Sequence, residues 1–155
     1  MNLPPLAFVL CLCAAPMAAF ACPQPGNTGA LLKQAQAEIN AYRKGAGLRA
    51  LSSKKQLADI AQQHACDMAG MGKHSHVGSD GSDLGGRLRS GGYRFGAAVE
   101  NVGKFSPSTD AAQWWYKSAG HRANILSPQI SDIGLGVALG TDNKRYWVML
   151  GGQAK

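Results

Sequence analysis

Three residues suited to acid–base chemistry or metal binding lie where apolar segments give way to turns. His76 falls in a long segment rich in Gly, Ser and Asp, Glu100 falls in a short apolar run, and His121 directly follows Gly120. Two neutral imidazoles and a carboxylate are a ligand set of open zinc sites. The three residues are far apart and form no short HExxH-type motif, so a zinc site would require the fold to bring them together.

Each of these residues also has a purely structural interpretation. His76 can be an ordinary loop residue, and His121 can cap a helix end. Glu100 can pair with an arginine, either Arg87 or Arg122. From the residues alone, the functional and the structural interpretations both stay open.

The segment from Trp114 to Leu126 is expected to form one wall of a cleft. The pattern predicts a helix that stops at Gly120, a residue that readily takes the left-handed conformation of helix ends. His121 would then lie at the negative end of the helix dipole, which favours a cation or a metal. Polar Arg122 and Asn124 alternate with apolar positions here, and Asn101 and Ser118 are the other polar residues that we expect to line the cleft.

Apolar periodicity predicts an α+β fold in which helices cover a small antiparallel sheet. One helix is predicted from Ala30 to Gly45, and a second carries an apolar stripe from Leu57 to Met68 that includes His64, interpreted as a core histidine. A short helical turn is expected at Leu84–Leu88, and a third long helix at Ser106–Ser118, with Trp115 inside and Trp114 toward the rim. Strands are predicted at Tyr93–Lys104, with Glu100 and Asn101 at its end, at Ile133–Leu139 and at Arg145–Leu150.

The first 21 residues are predicted to be a signal peptide. An uncharged apolar run ends in Ala19-Phe20-Ala21, the small-residue pattern that signal peptidase reads, although no Lys or Arg lies near Met1. Prolines interrupt the run, which argues against a membrane span. We therefore expect a leader over residues 22–29, a single domain over 30–155 without a transmembrane segment, and secretion or a periplasmic location.

Export determines how the cysteines are interpreted. Only Cys22 and Cys66 remain after cleavage, and two thiols in an oxidising compartment suggest one disulfide. Two alternatives remain: Cys22 could be the lipid-modified first residue of a lipoprotein, and Cys66 could be a buried free thiol. The bulky Phe20 argues against lipidation.

The net charge of +7 lies entirely in the mature part and favours anionic partners such as envelope polymers or lipid headgroups. The Lys and Arg residues are scattered, with no dense run and no nucleic-acid motif, so nucleic acid is not expected as a partner. A monomer is expected. No Gly-x-Ser-x-Gly segment supports a serine hydrolase.

Several segments together resemble the CAP superfamily, the group of cysteine-rich secretory proteins, antigen 5 and pathogenesis-related 1, also called the SCP domain. The likeness covers about residues 31 to 151. Its most specific parts are Val99-Glu100-Asn101-Val102 and, later in the chain, Gly120-His121-Arg122-Ala123-Asn124-Ile125-Leu126. It also includes the loop from His74 to Gly81, Arg87, Gly92-Tyr93, Trp115, Ile133 to Val137, and Tyr146-Trp147.

The resemblance implies an α-β-α sandwich with a central polar cleft lined by two histidines and two acids, which can bind a divalent metal, often zinc. His76 and His121 match the two histidines, and Glu100 matches one acid. Ser118 stands where the second acid is usual, which puts a complete metal-binding tetrad in doubt.

Three functions remain under consideration. The first is a secreted module whose cleft binds a small or lipid-like ligand, an anionic envelope polymer or a host component. The second is a zinc-dependent hydrolase in which the metal on His76 and His121 activates water and Glu100 is the base. The third is a purely structural extracellular domain. The family mostly lacks a settled enzymatic activity, so binding is placed first.

Overall fold

The computed structural model describes residues 22–155, and the predicted signal peptide lies outside this range. The elements follow in the order α1 (Thr28–Gly45), β1 (Ser52–Ser53), α2 (Lys55–Met71), α3 (Leu84–Ser90), β2 (Phe95–Phe105), α4 (Ala111–Lys117), α5 (Ala119–Ile125), β3 (Asp132–Leu139) and β4 (Arg145–Ala154). Within residues 22–155, no helix is long and apolar enough to cross a membrane.

The four strands form one sheet in the order β1-β3-β4-β2. The strands β2, β3 and β4 pair antiparallel along most of their length, as expected from the sequence. The two-residue strand β1 was not predicted, and it pairs parallel to β3, so the sheet is mixed rather than purely antiparallel. Strand β2 lies at one edge of the sheet, and it contacts helices of both layers.

Helices cover both faces of this sheet, which gives the predicted α-β-α sandwich. Alternate residues of β4 point to opposite faces, as strand geometry requires. Trp147 and Met149 pack in a core with helices α1, α4 and α5, whereas Val148 and Leu150 pack in a second core with α2 and α3. The sheet therefore separates two apolar cores.

Helix α2 lies directly on β3 because two glycines of the strand have no side chain. A Cβ atom at Gly134 would overlap the backbone of Leu57 and Ala58, and one at Gly136 would overlap the backbone of Ala61 and Gln62. The apolar stripe of α2 is buried as predicted, and it includes His64. This close approach fixes the position of α2 against the sheet, in the layer that carries one half of the candidate functional site.

Arg43 connects α1 to the segment after α5 within the same helical layer. It is buried, and its guanidinium donates hydrogen bonds to the carbonyls of Arg49, Ile125 and Ser127, each at 2.8 Å. Burial lowers the pKa of Arg43. These bonds fix the C-terminal end of α5, the helix that carries His121.

The segment around His121 differs from the sequence prediction. The third long helix ends at Lys117, and Ser118 has an extended conformation that separates it from α5. Gly120 and His121 therefore lie in the first turn of α5, toward the positive end of its dipole, and not after a helix C-terminus. The cap of α4 is Asp110, whose side chain accepts a hydrogen bond from Gln113 N.

A disulfide joins Cys22 to Cys66, as predicted. It ties the beginning of the described chain to the middle of α2, 44 residues later. The Gln62 amide lies beside both sulfurs and also exchanges hydrogen bonds with the backbone of Val137 on β3. The N-terminal segment is therefore attached to the α2–β3 layer.

Candidate functional site

Glu100 is the buried centre of the candidate site. It lies in the middle of β2, not at the strand end as predicted, and only 6% of it is exposed. Its Oε1 accepts a hydrogen bond from Arg87 Nη2 at 2.6 Å, and its Oε2 accepts one from His76 Nδ1 at 2.6 Å. The pairing with Arg87 was one of the structural alternatives, and it coexists here with a contact to His76.

Arg87 ties three elements to this carboxylate. It projects from α3, and its Nη1 donates to the backbone carbonyls of His76 at 3.1 Å and Ser82 at 2.8 Å. A single guanidinium therefore holds β2, α3 and the loop between α2 and α3. Arg87 was predicted as a partner of Glu100 and belongs to the residues that carry the family resemblance, but no local motif reveals its contacts with the loop.

His76 is held by Glu100 but remains accessible. Its side chain is 60% exposed, and the Nδ1–H that it donates to Glu100 leaves Nε2 without a hydrogen bond to another described residue. A carboxylate on one ring nitrogen fixes the ring orientation and leaves the other nitrogen for a ligand. His76 is thus an oriented imidazole at the surface.

His121 approaches from the opposite helical layer. Its Nδ1 shares a hydrogen bond with Ser118 Oγ at 2.9 Å, and its ring centroid lies 5.4 Å from that of Trp114. Burial lowers the pKa of His121, and positive charge on His76 and His74 lowers it further. The two predicted histidines thus belong to different layers, and the charge of one acts on the pKa of the other.

Two asparagines join the halves of the site. Asn101 donates to the backbone carbonyl of His121 at 3.0 Å, and Asn124 donates to the carbonyl of Glu100 at 3.0 Å and to Asn101 Oδ1 at 2.8 Å. Asn101 is fully buried. Both residues were predicted to line the cleft, and their contacts show that they connect β2 to α5.

Arg122 is the predicted cleft residue that the structure places elsewhere. Its guanidinium lies over the ring of Tyr116, 6.0 Å from the centroid, and Nη1 donates to the Tyr116 carbonyl at 3.4 Å. These contacts direct it along α4 and not toward Glu100. Successive residues of a helix point in different directions, which explains why His121 and Arg122 diverge once both lie inside α5.

The described residues do not assemble the three-ligand zinc site that the sequence suggested. Between residues 22 and 155, no three His, Cys, Asp or Glu side chains are grouped so that they could share a metal ion. Both oxygens of Glu100 are already engaged, by Arg87 and His76. His76 and His121 remain as predicted metal ligands, with one free ring nitrogen each among the contacts of the described residues.

The sequence is similar to proteins of one family. The model of the cysteine-rich secretory protein family, CAP, matches residues 36–150. The Bacillus subtilis protein YkwD, itself uncharacterised, is 28% identical over 113 residues, which cover 72% of this chain and 44% of YkwD. The membrane protein YlbC of the same organism is 32% identical over 108 residues, 69% of this chain and 30% of YlbC. The chain thus spans less than half the length of these two relatives.

Solved structures show the same fold. An extracellular protein with an SCP domain from Bacillus anthracis superposes with a TM-score of 0.69 at 30% identity, covering 81% of this chain and 41% of that chain. An outer surface protein of Borrelia burgdorferi superposes with a TM-score of 0.78 at 20% identity, covering 87% of this chain and 100% of that chain.

A sandwich of helices around a mixed sheet, with His76, Glu100 and His121 at its edge, defines a domain of the CAP type. The chain belongs to the cysteine-rich secretory protein family.

Proposed function

We propose that this protein acts outside the cytoplasm as a binding module, and that His76, Glu100 and His121 form its binding cleft. The observation that carries the proposal is the geometry of Glu100. Its two oxygens hold Arg87 and His76, so its role is to orient an exposed imidazole. An extracellular SCP-domain protein among the similar structures supports the location.

The same geometry favours binding over hydrolysis. A general base must reach the proton that it removes, directly or through one water molecule. Glu100 is nearly buried and both of its oxygens are occupied, which is unfavourable for activating water. We therefore place the zinc-dependent hydrolase and the purely structural domain behind the binding module.

The proposed ligand is anionic, either an envelope polymer or a lipid-like molecule with a negative headgroup. The net charge of +7 attracts such ligands to the protein. Within the cleft, His121 Nδ1 accepts from the Ser118 hydroxyl, so its free Nε2–H can donate to a phosphate or carboxylate. The free Nε2 of His76, whose Nδ1–H is held by Glu100, accepts a hydrogen bond from a hydroxyl group of the same ligand.

The test is calorimetric titration with polyglycerol phosphate and with phosphatidylglycerol vesicles. We expect saturable binding to one of them that His121→Ala and His76→Ala each weaken about 10-fold, the usual cost of one charged hydrogen bond. Lys44→Ala is the control, because Lys44 is an exposed cation at the end of α1 with no side-chain hydrogen bond to another described residue. Equal weakening by Lys44→Ala would reduce the effect to general charge and overturn the proposal.

A second measurement separates the alternatives. Metal content of the purified protein is determined together with turnover on peptide and ester libraries. Zinc in the wild type and turnover that His121→Ala abolishes would establish the hydrolase instead. If Glu100→Gln and His76→Ala alter only the melting temperature and no binding, the domain is structural.

A further inference from the structure

A second pocket lies on the α2 side of Arg87, outside the cleft. It has a volume of about 340 Å³ and is formed between α2, the following loop and α3, with walls that include Ile60, His64, Asp67, Ser79, Asp80 and Arg87. We call it the α2–α3 pocket. His76, Glu100 and His121 do not line it. Its volume falls within the range of small-molecule sites and far exceeds that of a bare ion.

The pocket carries two carboxylates, Asp67 and Asp80, and neither forms an ion pair within 4.0 Å with a Lys or Arg of residues 22–155. Hydrogen bonds from Ser82 lower the pKa of Asp80, so its carboxyl is ionised at neutral pH. The charge of Arg87 is already matched by Glu100 at 2.6 Å. In a protein of net charge +7, this pocket is a local exception.

His64 gives a second, independent indication of a ligand. Its side chain is fully buried, and Nε2 lies 2.8 Å from the carbonyl of Ser75, which can only accept, so Nε2 carries the hydrogen. Burial lowers the pKa of His64, which keeps the ring neutral and makes Nδ1 an acceptor. This Nδ1 has no hydrogen-bond partner in the described part of the chain.

The unpartnered nitrogen faces another acceptor. Asp67 Oδ2 lies 3.9 Å from His64 Nδ1, too far for a hydrogen bond, and neither atom can donate to the other. A group with several N–H donors can serve both. Arg87 Nε, also buried and without a partner among the described residues, is a donor and does not compete for these acceptors.

We propose that the α2–α3 pocket binds a ligand through its primary ammonium group, held by Asp67 and His64 Nδ1, with Asp80 as a further negative charge on the pocket wall. An ammonium has three donors and one positive charge, which match these acceptors. A bare metal ion fits less well, because no three His, Cys, Asp or Glu side chains within residues 22–155 are grouped to share one. The ammonium can belong to a small amine or to a lysine side chain of a peptide.

The experiment follows backbone amide resonances during titration of the whole mature protein. The probes are 1,5-diaminopentane and an N-acetylated, amide-capped Gly-Lys-Gly peptide, with uncharged 1,5-pentanediol as the matched comparator. We expect saturable shifts at Ser79, Asp80 and Ser82 with at least one amine and none with the diol. The tighter of the two amines identifies the source of the ammonium. Absence of saturable shifts with both amines overturns the proposal.

Matched variants assign the binding to this pocket. Asp80→Asn keeps an acceptor for Ser82 N and should weaken amine binding up to about 10-fold, because it removes one negative charge from the pocket wall. Asp59→Asn removes the same charge from an exposed site on α2 that pairs with Lys55 and should leave the affinity unchanged. Equal weakening by both variants means nonspecific attraction and overturns the proposal.

Two further measurements separate this site from the cleft and from a metal site. His121→Ala should leave amine binding unchanged, since His121 does not line the pocket. Calcium chloride is titrated under the same conditions. If calcium shifts these amides and the amines do not, the pocket is a cation site and the ammonium proposal is wrong.

Discussion

Glu100 shows how a buried carboxylate can serve a site without taking part in chemistry. Arg87 compensates its charge, and the same contact fixes the loop that presents His76. Both side chains of the pair are mostly shielded from solvent, with exposures of 10% for Arg87 and 3% for Glu100. Breaking such a pair costs much more than it contributes when intact, because one charge is left buried alone.

The Arg87–Glu100 pair makes the first prediction. Arg87→Met should lower the free energy of unfolding by about 3–5 kcal/mol, since it leaves the buried Glu100 charge without its arginine partner and with only the His76 hydrogen bond. Glu100→Gln in the Arg87→Met background should recover part of this loss. Urea unfolding of the four proteins of this double-mutant cycle measures the coupling. Strictly additive effects would show that the two side chains do not interact.

His64 makes a prediction about pH. Its pKa in the folded protein is lowered from 6.5, chiefly by burial and then by the charge of Arg87. The unfolded state therefore takes up the proton first as pH falls. The contribution of neutral His64 to the free energy of unfolding is complete above about pH 6.5. It is lost progressively as the pH falls from there to the folded-state pKa. From this one group, the free energy of unfolding changes by at most about 1.4 kcal/mol per pH unit.

Urea unfolding between pH 5 and pH 8 checks this expectation. His64→Gln retains a donor for the Ser75 carbonyl and should flatten the decline between pH 6.5 and pH 5. His121→Gln is the comparison, because the pKa of His121 is also lowered but His121 is only partly buried. An unchanged slope in His64→Gln would mean that His64 does not titrate in this range.

At the scale of the elements, the break between α4 and α5 at Ser118 determines where His121 lies in the site. Ser118 ends α4 and begins α5, and its hydroxyl reaches His121 Nδ1 three residues later. Ser is a common residue before the first turn of a helix, so the sequence did contain a signal for this boundary. Gly120 was given more weight as a helix terminator, and His121 was consequently assigned to the wrong end of a helix.

Elements with a strong apolar period were predictable, and those set by tertiary contacts were not. The buried face of α2 follows from the spacing of Leu57, Ile60 and Met68, and it was predicted as observed. The two-residue strand β1 has no periodicity, since it is created by pairing with β3. Likewise, His76 and Glu100 could be named from the resemblance. The contacts of Arg87 with the loop could not be predicted, because these partners are backbone carbonyls.

Two adjacent tryptophans of α4 make a matched prediction. Trp115 is fully buried in the core with α1 and donates from Nε1 to the Val102 carbonyl at 3.3 Å, whereas Trp114 is 45% exposed. Trp115→Ala should cost about 3–5 kcal/mol of unfolding free energy, and Trp114→Ala well below half of that. Thermal and urea unfolding measure both. Similar losses for the two variants would contradict the assignment of Trp115 as the core residue.

At the scale of the whole molecule, the disulfide is the one covalent link between distant segments among the described residues. It closes a span of 44 residues from Cys22 to Cys66 and thereby fastens the N-terminal leader to α2. A sulfur that is in a disulfide cannot also carry a lipid. The bond therefore argues against lipoprotein anchoring at Cys22.

Removing the disulfide should destabilise the domain by about 4 kcal/mol in the chain-entropy model. Urea unfolding of the oxidised protein is compared with that of a Cys22→Ser/Cys66→Ser double variant, which excludes reshuffling. Intact mass of the exported protein checks the N-terminus: we expect cleavage after Ala21 and a mass lower by two hydrogens than the reduced chain. An added mass of acyl chains would establish the lipoprotein instead.

The position of β2 at the edge of the sheet has a consequence for how the cleft can vary. Glu100 points into the layer of α2 and α3, whereas its neighbour Asn101 points into the layer of α5, so each histidine is supported by a different hydrophobic core. Repacking beneath α5 can therefore shift His121 while His76 stays in place. Related domains can in this way change the distance between the two imidazole rings without replacing either histidine. The size of ligand that fits between the rings would change with that distance.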